Sequence, residues 1–195
     1  SQVEVRYSDA PYASFSAPIT LASAITDDDI AVVSAIPNGT VGVMWSNQNA
    51  KRFGFRAHVD GAAPGTWGPD EVPGSQSAQS GGNGMADDHL NLATAPDGTL
   101  YAAVKTSYDR PDRPVIGLLV RQPTGVWGPL HEVDRKGTRP IVLLNDEADS
   151  VHVLYTESER LDDILVKSTG RDKIDFSGSA DVALDGAFNN VSSTK

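Results

Sequence analysis

Carboxylates, a histidine, an arginine and side-chain amides recur at one kind of position in this chain. The segments read Asp27-Asp28-Asp29, Asp87-Asp88-His89, Thr138-Arg139 and Asn189-Asn190. Each stands at the entry to a run of apolar residues or, for the last, near the end of the chain. Polar groups of these types, gathered at one mouth, make a binding site. Asp28, Asp29, Asp88, His89, Arg139 and Asn190 are therefore candidate ligand contacts. Lys105 joins them from a second series of turns, 46–49, 105–110 and 156–160. An Asp or Asn ahead of a strand is also an ordinary turn former with a solvated edge. Recurrence at four equivalent places favours the ligand reading for the group.

The same residues limit the chemistry. His89 is the best single catalytic candidate, as a general base, with Tyr108 and Glu157 behind it. His89 also reads as a ligand contact or a structural residue. The acids at 27–29 lack the alternating loop of a calcium hand, so no metal site is expected from them, though carboxylates and carbonyls together leave calcium open as a cofactor. The histidines at 58, 89, 131 and 152 have no metal-pair spacing, so no zinc site is expected. No serine elbow, phosphate loop or dinucleotide fingerprint occurs.

Composition narrows the classes further. There are 195 residues, enough to bury a core, and no cysteines. Disulfide frameworks, thiolate metal sites and cysteine nucleophiles are excluded. The net charge of −10 argues against nucleic acid or an anionic membrane as partner. No apolar run reaches the ~20 residues of a membrane-spanning helix. No signal peptide is visible at Ser1, which fits a mature or a cytoplasmic chain.

The elements that must position these residues are repeated. Asp28 to Val41 parallels Asp87 to Leu100, with a shared Pro-Asx-Gly-Thr core at Pro37 and Pro96. A looser copy begins at Arg139-Pro140. A second marker runs between the copies. Gly65-Thr66-Trp67-Gly68-Pro69 matches Gly125-Val126-Trp127-Gly128-Pro129, with weaker versions at Phe15 and Phe176. Spacings of 52, 60 and 49 between these aromatics suit propeller blades.

Local patterning agrees. Val41, Val43 and Trp45 alternate with Gly42 and Met44, and Leu100, Ala102 and Val104 with Tyr101 and Ala103. A period of two predicts strands. Asn38-Gly39 and Asp97-Gly98 predict two-residue hairpins. The expectation is an all-β propeller of four-stranded antiparallel blades, each about 50–60 residues long. In each blade, strands a and b flank the Asx-Gly turn, c follows, and d carries the aromatic marker. The divisions are a half blade at 1–25, blades at 26–84, 85–137 and 138–187, and the start of another at 188–195. That count is short of a ring, so the chain is expected to be part of a longer propeller or a homodimer. A helix between Tyr155 and Lys167 is the local rival, from Leu161, Ile164 and Leu165.

The Gly-Thr-Trp end of the marker resembles the Asp-box of sialidase-like propellers, Ser-x-Asp-x-Gly-x-Thr-Trp. The copies are degenerate: Asp60 stands at the wrong spacing before Trp67, and Gln122 to Trp127 has lost the Asp. The whole chain resembles secreted bacterial propellers of that type. The resemblance implies a secreted or extracellular location. It implies a ligand face where strand a begins and the b–c turns return, with the markers on the opposite, structural side. It also implies that catalysis would need three arginines, a Tyr paired with Glu, and a separate Asp. Tyr108 and Tyr155 with Glu157 are the available pairs, but three arginines cannot be placed on one face. A lyase would use His89 with Tyr108 or Lys105. The leading expectation is a module that binds a glycan or another polar ligand at the axial mouth without catalysis. A carbohydrate-active enzyme, hydrolase or lyase, is second. A structural module completing a larger ring is third.

Overall fold

Thirteen strands in four antiparallel sheets make up the regular structure of a computed structural model that describes residues 1–75, 82–188 and 190–192. The first sheet pairs β1 (Gln2–Val5) with β2 (Ile19–Ser23). The second runs β3 (Ala31–Ile36), β4 (Thr40–Asn47), β5 (Arg52–Val59). The third runs β6 (Leu90–Thr94), β7 (Leu100–Lys105), β8 (Ile116–Arg121), β9 (His131–Asp134). The fourth runs β10 (Thr138–Asn145), β11 (Ser150–Thr156), β12 (Asp162–Gly170), β13 (Asp181–Phe188). Among the described residues there is no helix, and 155–167 is the end of β11, a turn and β12. The first four expected divisions each hold one sheet, although β13 runs one residue past 187.

The alternation written in the strands becomes a stack of sheets with a core in each seam. On β4, Val43 and Trp45 pack toward Val3 and Leu21 of the first sheet. Met44, between them in sequence, joins Phe53 and Phe55 against Leu92, Leu100, Val104 and Leu119 of the third. On β7, Leu100, Ala102 and Val104 enter that core. Tyr101 and Ala103 enter the next, with Leu118, Val120, Val142, Val153 and Tyr155. Successive side chains of a strand point to opposite faces, so one apolar strand supplies two cores. Gly54 faces Trp45 across the β4–β5 pair, and a Cβ there would lie 2.2 Å from the indole. The flat ring fits only against a glycine.

Three expectations need correction. The second sheet has three strands among the described residues, because the chain after Trp67 meets β5 through isolated bonds, Gly68 N to Ala57 O at 2.8 Å and Glu71 N to Phe55 O at 2.9 Å. The hairpins are longer than two residues. Ile36 pairs with Thr40, and Thr94 with Leu100. Pro37 and Pro96 lack the N–H that a tighter ladder would need. The positive φ still falls on Asn38 and Gly39 (both 71°) and on Gly98 (91°). Finally, the markers precede strand d rather than lie on it. Trp127 sits four residues ahead of β9 and Phe15 four ahead of β2. Of the terminal stretch, Asn189 and 193–195 lie outside the described residues, and 190–192 form no strand.

Three of the four marker aromatics dock on the sheet before their own. Trp127 meets Phe55 edge-on, with centroids 5.4 Å apart, and donates Nε1 to Glu71 at 2.8 Å. Arg121 clamps the same carboxylate at 2.7 and 2.8 Å and lies 5.0 Å from the Phe55 ring centre. Phe176 is buried in the seam between the third and fourth sheets. Trp67 only flanks the first core, and its Nε1 donates to Pro64 O at 3.2 Å. Phe15 is 68% exposed. The two Trp positions therefore differ in energy. Trp127→Ala should cost ~3–5 kcal/mol, as truncation of a buried aromatic does. Trp67→Ala should cost roughly half as much, because less apolar area is lost. Urea melts of both variants check this, and equal midpoints would contradict it.

Candidate functional site

The residues ahead of β6 form a bend rather than an extended strand. Three consecutive side chains can therefore converge, which pleated backbone forbids. His89 Nδ1 lies 2.8 Å from Asp87 Oδ1 and 2.6 Å from Asp88 Oδ1. Asp87 Oδ2 accepts from Ser107 at 3.0 Å and faces Lys105 Nζ at 3.4 Å. Lys105 closes β7, and its backbone N–H bonds His89 O at 3.0 Å, which holds it beside the bend.

Lys105 also reaches the fourth sheet. Its ammonium donates to Glu159 at 2.6 Å, in the turn between β11 and β12. Glu159 in turn faces Arg139 Nη1 at 3.7 Å. Arg139 sits where the β10–β11 register breaks, between Thr138 and Ile141, with φ at +52°. A bulge of this kind re-aims a side chain, and Pro140 leaves no amide to restore the ladder. A chain of polar contacts through Asp88, His89, Asp87, Lys105, Glu159 and Arg139 thus spans two sheets.

Burial and partners set the charge states. Burial disfavours the Asp87 anion, but the hydrogen bond from His89 and the Lys105 ammonium outweigh it and hold its carboxyl well below the usual range. Burial and the adjacent Asp87 push Asp88 the other way, upward. Burial would lower Lys105, yet Glu159 and Asp87 hold it above its ordinary value. Lys105 therefore keeps its proton more firmly than a free lysine does. Partial burial opposes charge on Glu159, but Lys105 and Arg139 leave its carboxyl lowered.

These entries open on one cleft of about 320 Å³. Ile30, Asp88, His89, Arg139 and Asn190 line it. Four of the expected ligand residues are therefore together, contributed by the third and fourth sheets and the terminal stretch. Lys105 stands behind them. The other two are not in the lining. Asp28 is exposed, and Asp29 accepts from Thr26 N at 3.0 Å and Gln48 N at 3.1 Å, tying its bend to the β4–β5 turn. The enzymatic candidates are scattered as well. Tyr108 is 3% exposed inside the core between the second and third sheets. Glu157 pairs with Lys136. Tyr155 is fully buried and donates to Asp134 at 2.6 Å across a seam. Asp87, Ser107 and Glu159 are the site residues that the sequence reading did not single out. Their turns were visible, but their approach depends on sheet stacking.

A larger cleft, of about 770 Å³, lies at the other ends of the strands, among the β6–β7 and β10–β11 turns. Its arginine is already engaged: Arg171 donates to Asp146 at 2.9 Å and Asp149 at 2.8 Å. At the first cleft, Arg139 Nη1 is buried without a hydrogen bond. Neither a family model nor a curated protein matches this chain.

The sign of the Glu159 shift sets a pH test. A lowered carboxyl contributes stability above its ordinary value of 4.5, and the contribution is lost as pH falls through the folded value. Thermal melts across roughly pH 5 to 3 should decline less steeply in Glu159→Gln than in the unaltered protein. Identical slopes would mean that the contacts with Lys105 and Arg139 add nothing.

Proposed function

We propose that the four sheets are blades of a β-propeller of the sialidase-like type, acting outside the cell. In this reading the cleft at the strand entries binds a glycan or related polar ligand without catalysis. The stacking of successive sheets and the docking of Trp67, Trp127 and Phe176 on the preceding sheets support the propeller reading. The observation that carries the binding reading is Arg139, whose buried Nη1 lacks a hydrogen bond at the wall of a cleft shared with Asp88, His89 and Asn190. A buried unsatisfied donor is costly and calls for a partner. A sugar supplies one: ring and hydroxyl oxygens or a carboxylate for Arg139, and hydroxyls for Asp88 and Asn190. The dispersal of Tyr108, Tyr155 and Glu157 disfavours the hydrolase reading.

A panel of neutral, sialylated and uronic-acid oligosaccharides, titrated calorimetrically, tests this. At least one class should bind. Arg139→Ala and Asn190→Ala should each weaken that binding tenfold or more while the protein still melts cooperatively. No binding across the panel, or equal binding by both variants, would overturn the reading.

One further observation favours assembly into a larger ring. Phe15 is 68% exposed at the place where Trp127 and Phe176 are covered, and Tyr12 is 72% exposed nearby. Leu184 and Val182 of β13 are 53% and 55% exposed at the far end of the stack. Exposed apolar ends of this kind promote association. Light scattering should show a dimer, and a monodisperse 20.6 kDa monomer would reject the idea.

A further inference from the structure

We infer that Asp87, Asp88 and His89 form a binding site for a single borderline divalent cation of the zinc type, with its open side on the cleft. The inference rests on the reading of that cleft as a ligand site. It concerns a histidine joined to two carboxylates, with Asp87 Oδ1, Asp88 Oδ1 and His89 Nδ1 all within 4.8 Å of one another. Nδ1 stands 2.8 and 2.6 Å from the two oxygens. One imidazole N–H can point at only one of two carboxylates, so the proton there is a poor match for the site. Donors bound tetrahedrally to zinc at about 2.0–2.2 Å lie roughly 3.3–3.6 Å apart, so the two carboxylate oxygens would move less than about 1 Å away from the imidazole to admit the ion.

The neighbouring sheet supplies an independent comparison. Ser46 N donates to Ile30 O at 3.0 Å, and Lys105 N donates to His89 O at the same distance. Ile30 and His89 therefore occupy the same structural place, and Asp29 corresponds to Asp88. The fold accepts an isoleucine there, so it does not require the imidazole. Asp29 is engaged by Thr26 and the Gln48 amide, whereas Asp88 turns to His89 and the cleft. The third sheet thus departs from its own repeat where a ligand could reach it. The remaining oxygen of Asp87 is oriented by Ser107 and Lys105, the outer support that metal-bound carboxylates receive.

The donor set selects the ion. Imidazole suits zinc and its neighbours, while calcium and magnesium prefer all-oxygen shells. Three protein donors leave a position open to the cleft, as in zinc sites that take up a ligand. A sugar hydroxyl pair or a carboxylate is the oxygen donor of the right kind, and Arg139 across the cleft would orient it.

The experiment is calorimetric titration of zinc chloride into protein cleared with a chelator. The variants are His89→Ile, Asp88→Asn and Glu147→Gln. His89→Ile uses the residue that the second sheet already carries, so folding is preserved, which a matching melt verifies. One zinc ion per chain is expected for the unaltered protein and for Glu147→Gln, an exposed acid remote from the site. His89→Ile and Asp88→Asn should weaken binding at least tenfold. No zinc binding, or equal binding by His89→Ile, would overturn the inference. The oligosaccharide panel, repeated with chelator, separates the two readings. Sugar binding without zinc binding leaves the cleft reading standing and removes the ion. Zinc binding without any sugar binding does the reverse.

Discussion

Sheets that are apolar on both faces cannot stand alone. That constraint governs this protein. Met44 and Trp45 are neighbours in sequence and lie in different cores, and so are Leu100 and Tyr101. Each inner sheet must therefore be covered twice, and stacking is the arrangement that does it. Hydrophobic burial in the seams drives the stack, and the backbone ladders hold each sheet together internally.

Burial alone would let the sheets slide. The polar tie between the second and third sheets fixes their offset. Glu71 takes hydrogen bonds from Arg121 and Trp127, and the Phe55 ring lies against both donors. The pair is shielded and bidentate, so its geometry is specific in a way that apolar contact is not. The Tyr155 hydroxyl on Asp134 does the same for the third and fourth sheets. With the offsets set, the strand entries reach a common level, and Asp88, His89 and Arg139 come to share one cleft.

Within that cleft, charge is unevenly satisfied. Lys105 lies between Asp87 and Glu159 and balances both. Asp88 shares one imidazole with Asp87, and Arg139 keeps a buried Nη1 that lies 3.7 Å from Glu159 without a hydrogen bond. A structure built for stability alone would pair these groups. Their incomplete pairing lies where three sheets and the terminal stretch meet, which is where a ligand has most walls to touch.

The sequence by itself determined the strands, their alternating faces and the repeat. These follow from local rules: side chains alternate along a strand, and Asn, Gly and Pro shape turns within a few residues. It also grouped Asp28, Asp29, Asp88, His89, Arg139 and Asn190 through their recurrence at equivalent places, and the last four line one cleft. The tertiary structure decided the rest. Trp127 is buried and Phe15 exposed although both belong to the same marker, because burial depends on whether a preceding sheet lies beneath the ring. Asp28 and Asp29 resemble Asp87 and Asp88 in sequence but fall outside the cleft, because their bend is closed by Thr26 and Gln48. Glu159 joins Lys105 only when sheets 54 residues apart in the chain are stacked. Such approaches are set by packing between sheets, and no local pattern of residues encodes them.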